Sequence, residues 1–183
     1  MKLMIMNVLE YTTSDGPGFR TSIYSSGCEH ACKGCQNSQT WDINAGKPVE
    51  VSDLLQTVKS FDFADVTFSG GDPFFQVEGF TELARLIKEQ TSKSIWCYTG
   101  FTFEQIIASQ KLSKMLPYID VLVDGRFLES LKDTDLLFRG SSNQRLIDVK
   151  SSLKLRRVVL SDYDPFNVDV FSNCRVSSTE HVC

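Results

Sequence analysis

Between residues 65 and 123 the sequence alternates short apolar runs with longer amphipathic ones. This alternation restricts the fold more than any other feature. Asp65 to Phe68, Ser94 to Tyr98 and Ile119 to Val123 are short, rich in β-branched and aromatic residues, and close on polar turns containing Gly or Ser. Val77 to Gln90 sets Phe80, Leu83, Ala84 and Ile87 on one helical face, and Phe103 to Leu116 reads as a second helix stopped by Pro117. Apolar strands alternating with helices predict a parallel sheet covered by helices. The 183 residues amount to one domain and are too few for a closed eight-stranded barrel of about 250 residues. The expected fold is therefore α/β, an open or partial parallel β/α barrel. In such folds ligands sit at the carboxyl ends of the strands.

The remaining segments fit around that frame. Leu3 to Val8 is a first or edge strand, and Thr21 to Ser25 a short strand. Ser52 is expected to cap a helix reaching Ser60, with Leu54, Leu55 and Val58 at helical spacing. Asp15-Gly16-Pro17-Gly18 and Gly46-Lys47-Pro48 read as breaks. Leu136 to Gln144 reads as a loop and Leu155 to Leu160 as one more strand.

Charge and hydropathy narrow the function classes. Lys and Arg number 19 against 23 Asp and Glu, a formal net charge of −4, so the basic footprint of a nucleic-acid binder is absent. No apolar run approaches a membrane span of about 20 residues, and the start has no secretory pattern. The expected location is the cytoplasm.

Three of the six cysteines fall in the stretch Gly27-Cys28-Glu29-His30-Ala31-Cys32-Lys33-Gly34-Cys35. In a reducing compartment such a cluster means metal or redox chemistry more often than disulfides. On a straight helix the outer thiols would stand roughly 10 Å apart along the axis. Convergence on one centre therefore requires a curled loop, which Gly27 and Gly34 permit. A structural zinc site is closed by four ligands, whereas a 4Fe–4S cluster held by three thiolates keeps one iron open. On spacing alone both readings stand, with His30 a fourth ligand in the first. Otherwise His30 is a solvated loop residue. Cys97, inside an apolar strand, reads as a buried structural thiol, and Cys174 and Cys183 as incidental.

The cluster loop and several later motifs together resemble the radical S-adenosylmethionine (SAM) superfamily. Within it, the chain resembles the activating components of class III anaerobic ribonucleoside-triphosphate reductases. The stretches that carry the resemblance are Asp15 to Arg20, Ser26 to Asn37, Trp41 and Gly46, Ser69-Gly70-Gly71-Asp72-Pro73, Trp96 with Thr99-Gly100, Val123-Asp124-Gly125, and Arg139-Gly140-Ser141-Ser142-Asn143-Gln144. They lie within residues 3–150. Many superfamily members have an aromatic residue before the third cysteine; Gly34 stands there, as it does in the reductase-activating branch. The resemblance gives a radical SAM activase domain over residues 1–150 and an extension of unassigned role over residues 151–183.

The resemblance implies a partial barrel of radical SAM type with Cys28, Cys32 and Cys35 holding one 4Fe–4S cluster. Its open iron would chelate SAM, and one electron would cleave the sulfonium to methionine and a 5′-deoxyadenosyl radical. That radical would take a hydrogen from a glycine on the large reductase subunit. The electron would come from a low-potential donor such as a flavodoxin. No catalytic side chain is implied beyond cluster and SAM. Cofactor-binding residues would be Gly34, Cys35 and Gln36 against the adenine, and Ser69, Gly70, Gly71 and Asp72 at the methionyl ammonium. Pro73 would hold Asp72 extended. Asp124 and Thr99 either face the ligand or shape a turn. Arg20 pairs with a carboxylate near the cluster or at the surface. The stretch from Arg139 to Gln144 caps the sheet or meets the reductase. Two other readings remain: a radical SAM enzyme acting on a small molecule, of the deazapurine synthase type, and a zinc-stabilised binding module.

Overall fold

A computed structural model describes residues 1–163. Its strands are β1 (Lys2–Thr12), β2 (Arg20–Ser25), β3 (Lys47–Glu50), β4 (Asp65–Gly70), β5 (Ile95–Tyr98), β6 (Val121–Asp124) and β7 (Arg145–Asp148). Its α-helices are α1 (Val51–Ser60), α2 (Val77–Gln90), α3 (Phe103–Ala108) and α4 (Val149–Leu155). The strands form one sheet in the order β3-β1-β2-β4-β5-β6-β7. The centre, β2-β4-β5-β6, is parallel as expected. The margins are not: β1 runs antiparallel to both β2 and β3, and β7 antiparallel to β6. A parallel pair needs a crossover, usually a helix, and none separates β1 from β2 or β6 from β7. The all-parallel expectation is corrected to a mixed sheet.

The large apolar core lies between the sheet and its helices. Val66 and Phe68 of β4 and Ile95 and Cys97 of β5 meet Leu54, Phe80, Leu83, Ile87 and Ile106 there. A smaller cluster of Trp96, Val121, Val123 and Leu146 sits on the opposite face, with Tyr98 and Phe138 against it. Period-2 alternation thus sends neighbouring residues of one strand to different layers.

Four local expectations change. Ser52 is not a cap; α1 starts at Val51, behind Glu50. β3 contains Pro48, read as a break, and is tolerated because β3 is an edge strand where a missing N–H costs no ladder bond. The helix begun at Phe103 by a Thr102–Gln105 capping box ends at Ala108. Ser109 turns extended, its hydroxyl accepts from the Leu112 N–H, and a 3-10 segment, Leu112–Tyr118, follows. The strand expected over Leu155 to Leu160 reduces to one bridge, Leu160 to Ile147, because α4 persists to Leu155 and Arg156 turns left-handed. The boundary expected at residue 150 falls inside α4. Among the described residues no helix is long and apolar enough to cross a membrane. The tail cysteines, Cys174 and Cys183, lie outside the described residues.

Candidate functional site

The cysteine loop follows the carboxyl end of β2. Gly27, Ala31 and Gly34 all take positive φ, at 91°, 47° and 73°, and curl the chain. Its start is tied down by the Gly27 N–H to Thr40 O (2.8 Å) and the Cys28 N–H to Trp41 O (3.0 Å). Cys28, Cys32 and Cys35 are half-buried thiols. The Asn37 N–H donates to the Cys35 sulfur at 3.4 Å, and the backbone at His30 and Phe127 favours the thiolates of Cys28 and Cys32. Burial pushes the Cys28 thiol up to about 11 and raises that of Cys32. A metal held by these thiols would displace their protons, because the ligand is the thiolate.

The donor set fits a cluster of several irons. Three soft thiols share one loop, and the backbone near them favours negative sulfur. Among the described residues no three His, Cys, Asp or Glu side chains gather around a point as ligands of a single metal ion do.

Beside the third cysteine lies a cleft of ≈ 390 Å³. Cys35 and Gln36 line it from the loop, Ser69 and Tyr98 from strand ends, and Arg139, Gly140 and Gln144 from the stretch before β7. Asp15 joins them and accepts a hydrogen bond from the Tyr24 hydroxyl at 2.5 Å. A second cleft of ≈ 410 Å³ lies over the ends of β5 and β6, lined by Gly100, Asp124, Gly125 and Arg145.

The other expected site residues, Gly34, Gly70, Gly71 and Asp72, are not among those lining the first cleft. Gly34 packs so closely on Glu129 that a Cβ would stand 2.9 Å from its carboxylate oxygen. Gly70 takes φ 101° against the Ser25 backbone, and a Cβ on Gly71 would lie 2.5 Å from Gly27 O. These glycines let the turn after β4 pack backbone to backbone on the cysteine loop. Asp72 is extended, as Pro73 requires, but its carboxylate does not point to an open site. It is 1% exposed and accepts from the Phe74 and Gly100 N–H groups, the Thr99 hydroxyl and His30 Nε2, each at 2.9 Å. With four protein donors in place, a direct role toward an ammonium gives way to a role in fixing the turn.

His30 and Arg20 depart from their expected settings, while Thr99 and Cys97 keep to theirs. His30 is not solvated: its side chain is 6% exposed and lies edge-on to Phe75 and Phe101. Arg20 is itself buried, yet it pairs with a half-exposed carboxylate, that of Asp65, at 3.8 Å. It crosses the small apolar cluster, donating to Thr67 Oγ1 and Val66 O at 2.6 Å, with its guanidinium over Trp96. Asp124 is buried, caps α3 through the Phe103 N–H (2.7 Å) and pairs with Arg145 at 2.5 Å. Thr99 shapes the turn, accepting from the Phe101 N–H at 3.1 Å while donating to Asp72. Cys97 is buried in the core, and burial raises its thiol well above the usual range.

The polar stretch from Arg139 to Gln144 closes on itself. Gln144 Oε1 accepts from the Gly140 and Ser141 N–H groups, its Nε2 donates to Gly125 O, and Asn143 Nδ2 donates to Arg126 O. These bonds favour the sheet-capping reading, and the same loop walls the cleft. Sequence reasoning missed Asp15 and Tyr98 as lining residues. The alternation Trp96-Cys97-Tyr98 would have put Tyr98 on the open face once Cys97 was assigned to the core.

Residues 14–147 match the family described as "4Fe-4S single cluster domain". A Haemophilus influenzae protein named anaerobic ribonucleoside-triphosphate reductase-activating protein is 39% identical over 152 residues, covering 76% of this chain and 96% of that protein. The protein of the same name from Escherichia coli K12 is 38% identical over 153 residues with the same coverage. That from Enterobacteria phage T4 is 36% identical over 138 residues, 72% of this chain and 85% of the phage protein.

Proposed function

The chain belongs to the family of anaerobic ribonucleoside-triphosphate reductase-activating proteins, and from that premise we propose that it is a radical SAM activase. It binds one 4Fe–4S cluster and SAM and generates a glycyl radical on the large subunit of an anaerobic ribonucleoside-triphosphate reductase. The observation that carries this is the curled loop of three half-buried thiols, the third of which lines the cleft at the strand ends.

Cys28, Cys32 and Cys35 would hold three irons and leave one open. When bound, the cluster and SAM supply the one-electron cleavage and the hydrogen abstraction, which is chemistry no side chain here provides. The chain's own tasks are binding, orientation and exclusion of water. Gly27, Ala31 and Gly34 turn the loop so that three sulfurs come from one short segment. Cys35, Gln36 and Ser69 meet the cleft directly, and Gly34 completes that stretch. Gly70 and Gly71 would offer carbonyls to the methionyl ammonium, with Asp72 fixing their turn. Phe127, Leu136 and Phe138 narrow the cleft with apolar surface that keeps water from its contents.

The parallel centre with helices on one face supports a partial barrel of radical SAM type. The activase unit covers residues 1–150 together with the rest of α4, and the remainder of the extension stays without an assigned role. A low-potential donor such as a flavodoxin would supply the electron in the cytoplasm. The net charge of −4 argues for no nucleic-acid partner.

The test is an anaerobic mixture of reconstituted protein, reductant, SAM and the large reductase subunit. A glycyl radical in the electron paramagnetic resonance (EPR) spectrum that requires every component is the expected result. Steady SAM cleavage driven by a small molecule, with no radical on the large subunit, would favour the small-molecule enzyme.

A further inference from the structure

We propose that His30 is a positioning residue that, through Asp72, holds the turn after β4 in register with the cysteine loop. It thereby sets where SAM sits relative to the open iron. This rests on the reading that the loop holds the cluster and the turn meets SAM.

His30 lies between the first two thiols in sequence, yet its ring points away from solvent. His30 Nε2 and Asp72 Oδ2 are 2.9 Å apart, with the two side chains 6% and 1% exposed. A carboxylate oxygen accepts, so Nε2 carries the proton. The same Oδ2 accepts from the Thr99 hydroxyl and the Gly100 N–H, so one oxygen joins the cysteine loop, the turn after β4 and the end of β5. The ring is held on its other sides. Phe75 and Phe101 meet it edge-on, at centroid distances of 5.4 and 4.6 Å, and Gly100 lies so close that an added Cβ would collide with it. The main chain brings the same two segments together, with the Asp72 N–H donating to Gly27 O at 2.9 Å.

The arrangement separates folding from positioning. Without the imidazole, Asp72 keeps three donors and the turn keeps its backbone bonds to Ser25 and Gly27. The fold has no reason to fail. What is lost is the tie between the residues linking two cluster ligands and the turn facing the cofactor. Site geometry has to hold to roughly half an ångström, and removing outer supporting partners of metal sites typically costs 10–100-fold.

The experiment compares wild type, His30→Phe, which keeps an aromatic ring but no donor, and His30→Gln, which restores a side-chain N–H. Each is reconstituted anaerobically and assayed for iron per chain, for the SAM dissociation constant and for the SAM-induced change in the reduced cluster's EPR spectrum. His30→Phe should keep its iron but bind SAM at least about tenfold more weakly, with a diminished spectral change. His30→Gln should lie within about threefold of wild type. In the metal-free chain, amide exchange at Phe74 and Gly100 should speed up in His30→Phe and return toward wild type in His30→Gln. If Phe prevents folding, His30→Leu takes its place. Unchanged SAM affinity in the donor-less variant, no rescue by Gln, or iron loss in both variants would overturn the proposal. If the wild type itself bound no SAM, the activase reading would fail, and amide exchange alone would decide whether the tie exists.

Discussion

Along β4, Val66 and Phe68 pack beneath the helices while Thr67 and Ser69 face the other way; along β5, Ile95 and Cys97 do the first and Trp96 and Tyr98 the second. The same strands therefore build two different surfaces. The helix-covered face is a continuous apolar cluster whose members are almost fully buried. The open face holds a small apolar patch crossed by Arg20, and at its carboxyl end it runs into Ser69, Tyr98 and the third thiol. One face holds the sheet together, and the other leaves room for a ligand. The difference teaches that stability and chemistry are separable here by the parity of a residue within its strand.

The sharpest way to break this comparison is at the thiols. Replacing Cys28, Cys32 or Cys35 by Ala should abolish cluster assembly, read as iron and sulfide per chain, and with it all SAM cleavage. Urea unfolding of the metal-free chain should barely move, since these residues lie outside the apolar clusters. A large loss of stability would mean that the two faces are not independent.

Phe80→Ala makes the converse case. Phe80 is fully buried, with its ring 5.0 Å from that of Phe68, and truncation should cost roughly 3–5 kcal/mol by denaturant unfolding. Any molecules still folded should take up iron normally.

Arg20→Met probes the open face away from the cleft. It keeps apolar bulk against Trp96 but removes the donors to Thr67 and Val66, for an expected loss of about 2 kcal/mol. SAM affinity should hardly change.

The smallest effect concerns pH. Arg145, bonding Glu104 through both guanidinium Nη atoms, holds that carboxyl down at about 2. A carboxyl lowered on folding stabilises above its unfolded value, and that stability is lost as pH falls through the folded one. Between pH 4.5 and 2 the wild type should therefore lose stability more steeply than Glu104→Gln, measured as urea midpoints of the metal-free chain. Parallel curves would remove the pair from the account.

How much of this the sequence carried follows from the same two faces. The helix-covered layer was readable because periodicity reports burial directly: Phe80, Leu83, Ala84 and Ile87 lie on one side of α2 and are buried there. The cysteine spacing and its two glycines foretold a curled loop, and all three φ values are positive where the turn is made. The antiparallel start of the sheet was legible but overlooked, because the link from β1 to β2, residues 13–19, is too short for the crossover of roughly a dozen residues that a parallel pair needs. The setting of His30 was not readable. Between two cysteines it looks like any polar loop residue, and only the tertiary approach of Phe75, Phe101 and Asp72, far along the chain, buries it. Asp72 misled for the opposite reason. A carboxylate in a glycine-rich turn suggests a ligand contact, but three of its four donors come from segments that pattern reading cannot bring together.

The central claim is that three thiols on one curled loop hold a cluster with an iron open to SAM. The most direct measurement is the EPR spectrum of the anaerobically reconstituted, reduced protein with and without SAM. A reduced 4Fe–4S signal that changes shape when SAM is added is the expected result. A protein that binds one zinc per chain, or whose cluster signal is identical with and without SAM, would contradict it.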